Sequence, residues 1–470
     1  MRTAIRALIL ATASVAALSV AHATPLTDER LIEFEASDHS VTEAYRGEIF
    51  VPENRADPES RIIRIEYVRF PATGDTSGPP IIYLSGGPGG SGINTAKGPR
   101  FPLFMAMREF GDVIALDQRG TGASNDIEVC HASLHNQDDS YVSDRDFLSR
   151  QRLALDECFE RWTSDGVDIA GYNTLENVAD IDALRMHLGA EKVSLWGISY
   201  GSHLALAALK EMEDRIDRIV IASAEGLDQT IKLPARTDDY FDRFGSAIGH
   251  EDLPGLIRRV HAQLDVAPPR LQLTNRNGES LDFLLQKRDM QRIASAMISD
   301  PDRAKMLVGL YEALDTGNTG PVTGLMSRFV RPNEPISFNL MSVAMDIASG
   351  TSADRRALIE RQAQSSLLGP FLNQSVEFED TAPELVLSDS FRVNPVSDVP
   401  VLLLSGTLDG RTYLQSQIEA VSGLSNLDHM IVEGAGHNLF MWSPDVTNRI
   451  QSFMRRAPSS DISTPEKPSQ

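Results

Sequence analysis

The chain has 470 residues, of which 41% are hydrophobic and 23% are charged, and its formal net charge is -22. This length and composition are typical of a globular protein with one large domain or two to three smaller ones. The excess of negative charge repels phosphate backbones, so nucleic acid is excluded as an expected partner.

The first 23 residues have the pattern of a secretory signal peptide. Two arginines precede an apolar run over residues 7–20, and Ala21-His22-Ala23 fits the A-x-A cleavage motif. A membrane anchor is the alternative, but the run is short for a span and is interrupted by Ser and Thr. We predict cleavage of residues 1–23, a periplasmic or secreted protein, and no membrane insertion of the mature chain.

The two cysteines, Cys130 and Cys158, predict a disulfide, because an even pair in an exported protein usually forms one. Two unpaired buried thiols are the alternative. Two cysteines without a supporting set of histidines do not make a metal site.

Residues 24–226 alternate short apolar strands with helices. Strands are predicted at 61–70, at the starts of 79–92 and 112–124, at 192–198 and at 217–223, and a helix is predicted over 173–189. This alternation predicts an α/β fold with a mostly parallel sheet and helices on both faces.

Residues 227–396 break the alternation. Helical patterns lie at 286–299, 303–315 and 354–368, and strand-like runs are few, so we interpret this segment as a mainly helical cap inserted into the core. The α/β pattern resumes over 397–457. The tail, 458–470, is rich in Ser and Pro and is predicted to be disordered.

A candidate nucleophile lies in Gly197-Ile198-Ser199-Tyr200-Gly201, between a predicted strand and a predicted helix. A tight turn would explain Gly and Ser at this junction. The pentapeptide also matches the nucleophile elbow, G-x-S-x-G, which exposes a serine hydroxyl at a strand-to-helix turn. Since a lone serine is a weak nucleophile, the chain must also supply a base, an orienting acid and an oxyanion hole.

Candidates for these partners follow later strands. Asp409 comes after the apolar run VLLLSG, and His437 comes after HMIVEG. The order Ser199, Asp409, His437 is that of α/β-hydrolases. In these roles His437 takes the serine proton and returns it to the leaving group, and Asp409 fixes the imidazole tautomer. Each residue taken alone is also compatible with an ordinary loop position.

An oxyanion hole requires backbone N–H groups beside the serine. Tyr200, the residue after the serine, is one predicted donor, and Gly87 in the glycine-rich loop SGGPGGSG is the other. A phosphate-binding loop is the alternative for this segment, but it lacks the Gly-Lys-Ser/Thr ending and the glycine spacing of the known motifs.

The motifs GGPGGSG, DQRGTGAS and GISYGS, with the late Asp and His, resemble the prolyl iminopeptidase and tripeptidyl aminopeptidase branch of the α/β-hydrolases. The resemblance implies an α/β-hydrolase fold with a helical cap and the release of residues from free peptide N-termini. It also carries the nucleophile, acid and base roles onto Ser199, Asp409 and His437.

The same resemblance places Asp117, Arg119 and Gly120 in a structural turn beside the site rather than in the chemistry. The sequence departs from the family at Ser85, where prolyl iminopeptidases usually have His. Strict proline specificity is therefore not implied.

An aminopeptidase needs a carboxylate that binds the substrate ammonium. Glu225, after the strand at 217–223, is the candidate, although it would equally suit a solvated linker position. Asp228, Asp238 and Asp239 are weaker candidates.

These observations predict an exported serine hydrolase that removes residues from the free N-terminus of short peptides and needs no metal or organic cofactor. A carboxylesterase acting on small esters with the same triad is the alternative. A non-catalytic binding protein on this scaffold is disfavoured by the intact triad, and a dehalogenase by Ser199, since its nucleophile would be Asp. The sequence makes no prediction of oligomeric state.

Overall fold

The computed structural model describes residues 28–455, except for 75–77, 125–126, 137–138, 275–277 and 330–333. The predicted signal peptide, 1–23, and the predicted disordered tail, 458–470, lie outside the described residues.

Strands occur throughout the described part of the chain. Within those ranges there are thirteen, which are β1 Arg30–Glu35, β2 Val41–Pro52, β3 Ile62–Phe70, β4 Ile81–Leu84, β5 Val113–Leu116, β6 Cys130–His135, β7 Val193–Ile198, β8 Ile216–Ala222, β9 Arg270–Thr274, β10 Ser280–Leu284, β11 Pro335–Phe338, β12 Val401–Gly406 and β13 Leu427–Val432.

The α-helices are of ordinary length for a globular protein. The described residues contain fourteen, which are α1 Gly92–Lys97, α2 Phe101–Met107, α3 Asp144–Ser164, α4 Thr174–His187, α5 Tyr200–Glu211, α6 Pro234–Ile248, α7 Leu253–Val266, α8 Lys287–Met297, α9 Pro301–Asp315, α10 Gly320–Met326, α11 Leu340–Ser349, α12 Ala353–Ala363, α13 Leu414–Ala420 and α14 Pro444–Met454. Across the described ranges, none of these helices has both the length and the apolar character that a bilayer span requires.

Nine strands form one sheet in the order β1-β2-β3-β5-β4-β7-β8-β12-β13. The pairs from β1 to β5 are antiparallel, and those from β5 to β13 are parallel. The prediction of a mostly parallel α/β sheet is therefore confirmed.

The central parallel strands are buried on both faces, which explains their uninterrupted apolar sequences. In β4, Ile81 and Tyr83 pack with Trp196 on one face of the sheet. Ile82 and Leu84 pack on the other face in a second hydrophobic core. Helices cover both cores, as the alternation of elements predicts.

The segment between β8 and β12 contains α6–α12 and three short strands. The strands β9 and β10 form an antiparallel hairpin, and β11 pairs with β6. Residues of α6–α10 and the hairpin share a hydrophobic core of their own, with Tyr240, Ile257 and Tyr311 fully buried in it. In contrast, α11 packs Met341 and Met345 into the core beneath the sheet, so this insertion is anchored to the sheet along its second half.

The cysteines Cys130 and Cys158 are joined by a disulfide in the structure. It links the start of β6 to α3, both of which lie in the connection between β5 and α4. Because β6 also pairs with β11, the disulfide stabilises a segment that contacts the inserted region.

Candidate active site

The predicted site residues meet at one edge of the sheet. Loops that follow β4, β7, β8, β12 and β13 all leave from the carboxyl ends of parallel strands, which is where open α/β sheets bind their ligands. Gly87, Ser199, Glu225 and His437 line a common cavity of about 1170 Å³ at this edge.

Ser199 lies at a sharp turn between β7 and α5. Its backbone has φ 56° and ψ −127°, a conformation that an L-residue rarely adopts. Glycine is required on both sides because the chains come very close. A Cβ on Gly197 would lie 2.4 Å from the carbonyl oxygen of Gly201, and one on Gly201 would lie 2.0 Å from that of Leu84. This is the geometry of a nucleophile elbow, with the serine half-exposed to the cavity.

Asp409 and His437 form a hydrogen-bonded pair. His437 Nδ1 lies 3.0 Å from Asp409 Oδ2 and 3.1 Å from Oδ1. The carboxylate is fully buried, whereas the imidazole is 19% exposed. Thr412 also donates two hydrogen bonds to Asp409. Its backbone N–H donates to Oδ1 at 2.9 Å, and its hydroxyl donates to Oδ2 at 2.7 Å.

The pKa of Asp409 shows that this carboxyl group is held ionised. Burial would raise it, but the neighbouring charge of His437 and the hydrogen bonds from His437 and Thr412 outweigh burial and lower the pKa to about 2. An ionised Asp409 fixes the Nδ1–H tautomer of His437, which leaves Nε2 free to accept a proton.

The backbone of His437 is held from two directions. Its carbonyl accepts a hydrogen bond from Ser223 Oγ at 2.7 Å, and its N–H donates to the carbonyl of Ser299 at 2.9 Å. Ser223 follows β8 in the core, and Ser299 follows α8 in the inserted segment. Core and insertion therefore position the imidazole together.

The glycine-rich loop after β4 passes beside the serine. A Cβ on Gly86 would lie 3.1 Å from Ser199 Cβ. Gly87 lines the cavity with φ 132°, which favours glycine. Ser342 Oγ of α11 donates to the carbonyl of Pro88 at 3.0 Å and so ties the loop to the insertion.

Tyr200 begins α5, and the first N–H groups of a helix have no partner within it. The two predicted oxyanion donors are therefore Tyr200, the residue directly after Ser199, and Gly87, which lines the same cavity in the loop that passes beside the serine. Such an arrangement can stabilise a developing oxyanion.

Glu225 lines the cavity but already has a cationic partner. Lys232 Nζ lies 2.6 Å from Glu225 Oε2, and both side chains are almost fully buried. Burial lowers the pKa of Lys232, while the charge of Glu225 opposes that effect. This pairing was not predictable from the sequence, because the two residues lie seven positions apart across an irregular segment.

Asp346, on α11, is a cavity residue that the sequence analysis missed. Burial and the negative charge of Glu225 raise the pKa of its carboxyl group to about 7. No group in the described part of the chain donates a hydrogen bond to this carboxylate. The available signal was a single acidic residue inside the apolar helix LMSVAMDIAS.

The other acidic candidates are engaged elsewhere. Asp228 accepts hydrogen bonds from the hydroxyl and N–H of Ser352, at 2.6 and 2.8 Å, just before α12. Asp238 accepts from the N–H of Leu367 at 3.0 Å. Asp239 is an exposed residue of α6.

The turn after β5 has structural contacts. Asp117 accepts from Ser91 Oγ at 2.6 Å and from the N–H of Ala123 at 2.7 Å. Arg119 is fully buried and donates to both carboxylate oxygens of Asp180, at 2.7 and 2.8 Å. These contacts fit the structural role that the resemblance implies for this turn.

Residues 79–444 match the family described as having the α/β-hydrolase fold. The chain belongs to this family. The match spans the strands from β4 onward, the elbow, the insertion and both members of the Asp–His pair.

Curated relatives of this hydrolase include peptidases. It is 30% identical over 185 residues to "Serine protease Hip1" of Mycobacterium tuberculosis, covering 38% of this chain and 35% of that protein. It is 28% identical over 224 residues to "Tripeptidyl aminopeptidase" of Streptomyces lividans, covering 42% and 40%. It is 30% identical over 143 residues to "Proline iminopeptidase" of Xanthomonas citri, covering 29% and 30%.

The hydrolase spans less than half the length of these relatives. The predicted resemblance to the peptidase branch is confirmed by their names. In the described ranges no three His, Cys, Asp or Glu side chains are grouped so as to hold a metal ion.

Proposed function

We propose that this hydrolase is an exported aminopeptidase that cleaves short peptides through an acyl-enzyme on Ser199. One observation carries the proposal. The cavity that contains Ser199 and His437 also contains two carboxylates, Glu225 and Asp346. A peptide ammonium is the substrate group that such carboxylates bind.

The proposed reaction gives Ser199, His437 and the two backbone donors the roles that a serine triad assigns to them. Ser199 Oγ attacks the scissile carbonyl while His437 takes its proton, and the Gly87 and Tyr200 N–H groups stabilise the oxyanion. Collapse of the intermediate breaks the C–N bond, and His437 gives the proton to the leaving amine. Water, deprotonated by His437, then attacks the ester and releases the acyl fragment and the serine.

Asp346 is the principal ammonium-binding residue in this proposal. Glu225 shares its charge with Lys232, whereas Asp346 lies in the cavity without a hydrogen-bond donor from the described residues. A substrate ammonium beside Asp346 would favour its ionised form and lower its pKa. Glu225 lies close enough to Asp346 for its charge to raise the pKa of that carboxyl group, so the two carboxylates share one end of the cavity.

Export is supported by two features. The first 23 residues have the signal-peptide pattern, and the Cys130–Cys158 disulfide suits an oxidising compartment. The proposal therefore includes a periplasmic or secreted location.

The pH dependence tests the role of Asp346. The readout is the ratio of kcat/KM for a free-amine peptide to kcat/KM for its des-amino analogue, since this ratio cancels the pH effects that are common to both substrates. We expect the ratio to rise as the pH passes through about 7, because only the ionised carboxylate binds the ammonium. It should fall again above about 8, where the substrate amine loses its proton.

Asp346→Asn should abolish the rising limb and lower the plateau of this ratio by roughly 10- to 100-fold, the effect of losing a charge-assisted hydrogen bond. Asp239→Asn, which removes an exposed charge from α6, is the matched control and should keep the wild-type profile. A rising limb that persists in Asp346→Asn would assign ammonium binding to another group.

A further inference from the structure

We propose that Arg100 forms a carboxylate-binding site on the leaving-group side of the cavity. The site rests on the proposed function and extends it, because it selects substrates whose departing segment carries a negative charge. Nothing in the sequence analysis pointed to this residue.

Arg100 lies in the cavity lining, immediately before α2, and its guanidinium is held in place by neutral groups. Its Nη2 donates to Asn438 Oδ1 at 2.6 Å, and its Nη1 donates to the hydroxyl of Tyr83. The guanidinium carbon also lies 5.3 Å from the ring centroid of Phe440 and 5.8 Å from that of Tyr83. These contacts fix the orientation of the side chain before any substrate binds.

The charge of Arg100 is uncompensated by the protein. Among the described residues, no carboxylate forms an ion pair with it, although Asp and Glu outnumber Lys and Arg by 66 to 44 in the chain. Its hydrogen bonds to Asn438 and Tyr83 use one N–H of each terminal nitrogen, so the guanidinium retains donors for a further acceptor. A planar guanidinium held in this way is suited to bind a carboxylate.

The position of Arg100 assigns the carboxylate to the leaving group. His437 must come within hydrogen-bond distance of the leaving nitrogen, because it gives that atom its proton. Asn438, which contacts Arg100, is the next residue in the chain. A leaving segment that extends a few bonds past His437 therefore comes within reach of the guanidinium.

Arg100 and Glu225, the second carboxylate of the proposed ammonium site, follow different strands. Arg100 belongs to the segment after β4, whereas Glu225 follows β8, and these strands flank β7 and its serine. A short peptide with a free amino group at one end and a carboxylate in its departing part fits both charges. The carboxylate is either the peptide's C-terminus or an acidic side chain.

The test compares matched substrates. One pair differs in a free or amidated C-terminus, and a second pair, amidated at the C-terminus, has Asp or Asn in the leaving segment. A third pair, the acetate esters of para-hydroxybenzoate and para-hydroxybenzamide, needs no peptidase activity. The readout is the ratio of kcat/KM for the charged member to kcat/KM for the neutral member.

We expect a wild-type ratio above one for the ester pair and for at least one of the two peptide pairs. Whether the C-terminal pair, the Asp/Asn pair or both show it identifies the source of the carboxylate. Arg100→Gln should lower that ratio roughly tenfold, the effect of losing one charge-assisted contact. Arg100→Lys should restore part of it, because it keeps the charge but loses the planar fork. Arg259→Gln, an exposed charge change on α7, should have the wild-type ratio.

If Arg100→Gln lowers kcat/KM equally for both members of each pair, the proposal is overturned. That result would mean that Arg100 only positions the loop of His437. A wild-type ratio near one in all pairs would overturn it as well. If free-amine peptides are cleaved in either case, the aminopeptidase function stands without the carboxylate site. If only the esters are cleaved, with an Arg100-dependent ratio, the carboxylate site stands and the peptidase function fails.

Discussion

Ser199→Ala is expected to lower kcat by roughly 10⁴-fold or more, because it removes the atom that forms the acyl-enzyme. The fold should be retained, since the turn is held by close contacts of Gly197 and Gly201 rather than by the hydroxyl. Alanine at φ 56° carries the same backbone strain as serine, so the melting temperature should change by only a few degrees.

Two measurements check this result. Labelling by a fluorophosphonate probe should disappear in Ser199→Ala and persist in Ser375→Ala, which removes another serine hydroxyl from the cavity lining. Circular dichroism should give the same spectrum for both variants. Turnover near the wild-type level in a folded Ser199→Ala would show that another group attacks the substrate.

Asp409→Asn should lower kcat by roughly 10⁴-fold while leaving the site packed. The backbone N–H groups of Arg411 and Thr412 both donate to Asp409 Oδ1, at 2.8 and 2.9 Å. They hold the amide oxygen of the Asn variant in that position, so the amide NH₂ takes the place of Oδ2, which is 3.0 Å from His437 Nδ1. The imidazole then accepts at Nδ1 and carries its proton on Nε2, which can no longer take the proton of Ser199.

The control is Asp228→Asn. The Asp228 carboxylate accepts a hydrogen bond from the Ser352 hydroxyl before α12, whereas the Asp409 carboxylate pairs with the imidazole. It should keep kcat within about threefold of the wild type, as expected for a site outside the reaction. A similar loss in both variants would indicate a general effect on the fold. A fully active Asp409→Asn would remove Asp409 from the triad.

Apolar, doubly buried strands were the most predictable part of the fold. The runs that became β7, β8 and β12 are apolar because both faces of the sheet are covered there, and the site loops follow directly from their ends. The elbow was predictable from its glycines, since only glycine permits the close approach of α5 to β4.

The edge strands β1 and β2 were missed because they are half-exposed. Their outer face carries exposed apolar side chains, Leu31, Val41 and Phe50, which weakens the apolar–polar alternation on which strand prediction depends. The hairpin β9–β10 was missed because it lies within a segment dominated by helical patterns. Its strands have five residues each, so the periodic signal is short.

The residues to which we assign substrate selection in our proposals were not predictable from local patterns. Asp346 reaches the cavity only because α11 folds back onto the core, and Arg100 acquires its role from Asn438, which is 338 residues away in the chain. Glu225 lines the cavity, but its pairing with Lys232 depends on how the chain turns after β8. Such contacts are set by tertiary packing rather than by sequence spacing.

The most direct test of the aminopeptidase proposal is the turnover of one chromogenic peptide with a free amino terminus, the same peptide acetylated, and one simple ester. Ser199→Ala provides the blank. The carboxylates of the cavity predict cleavage of the free peptide at a rate at least tenfold above the acetylated one, since acetylation removes the ammonium. Equal cleavage of the two peptides, or turnover of the ester alone, would contradict an aminopeptidase.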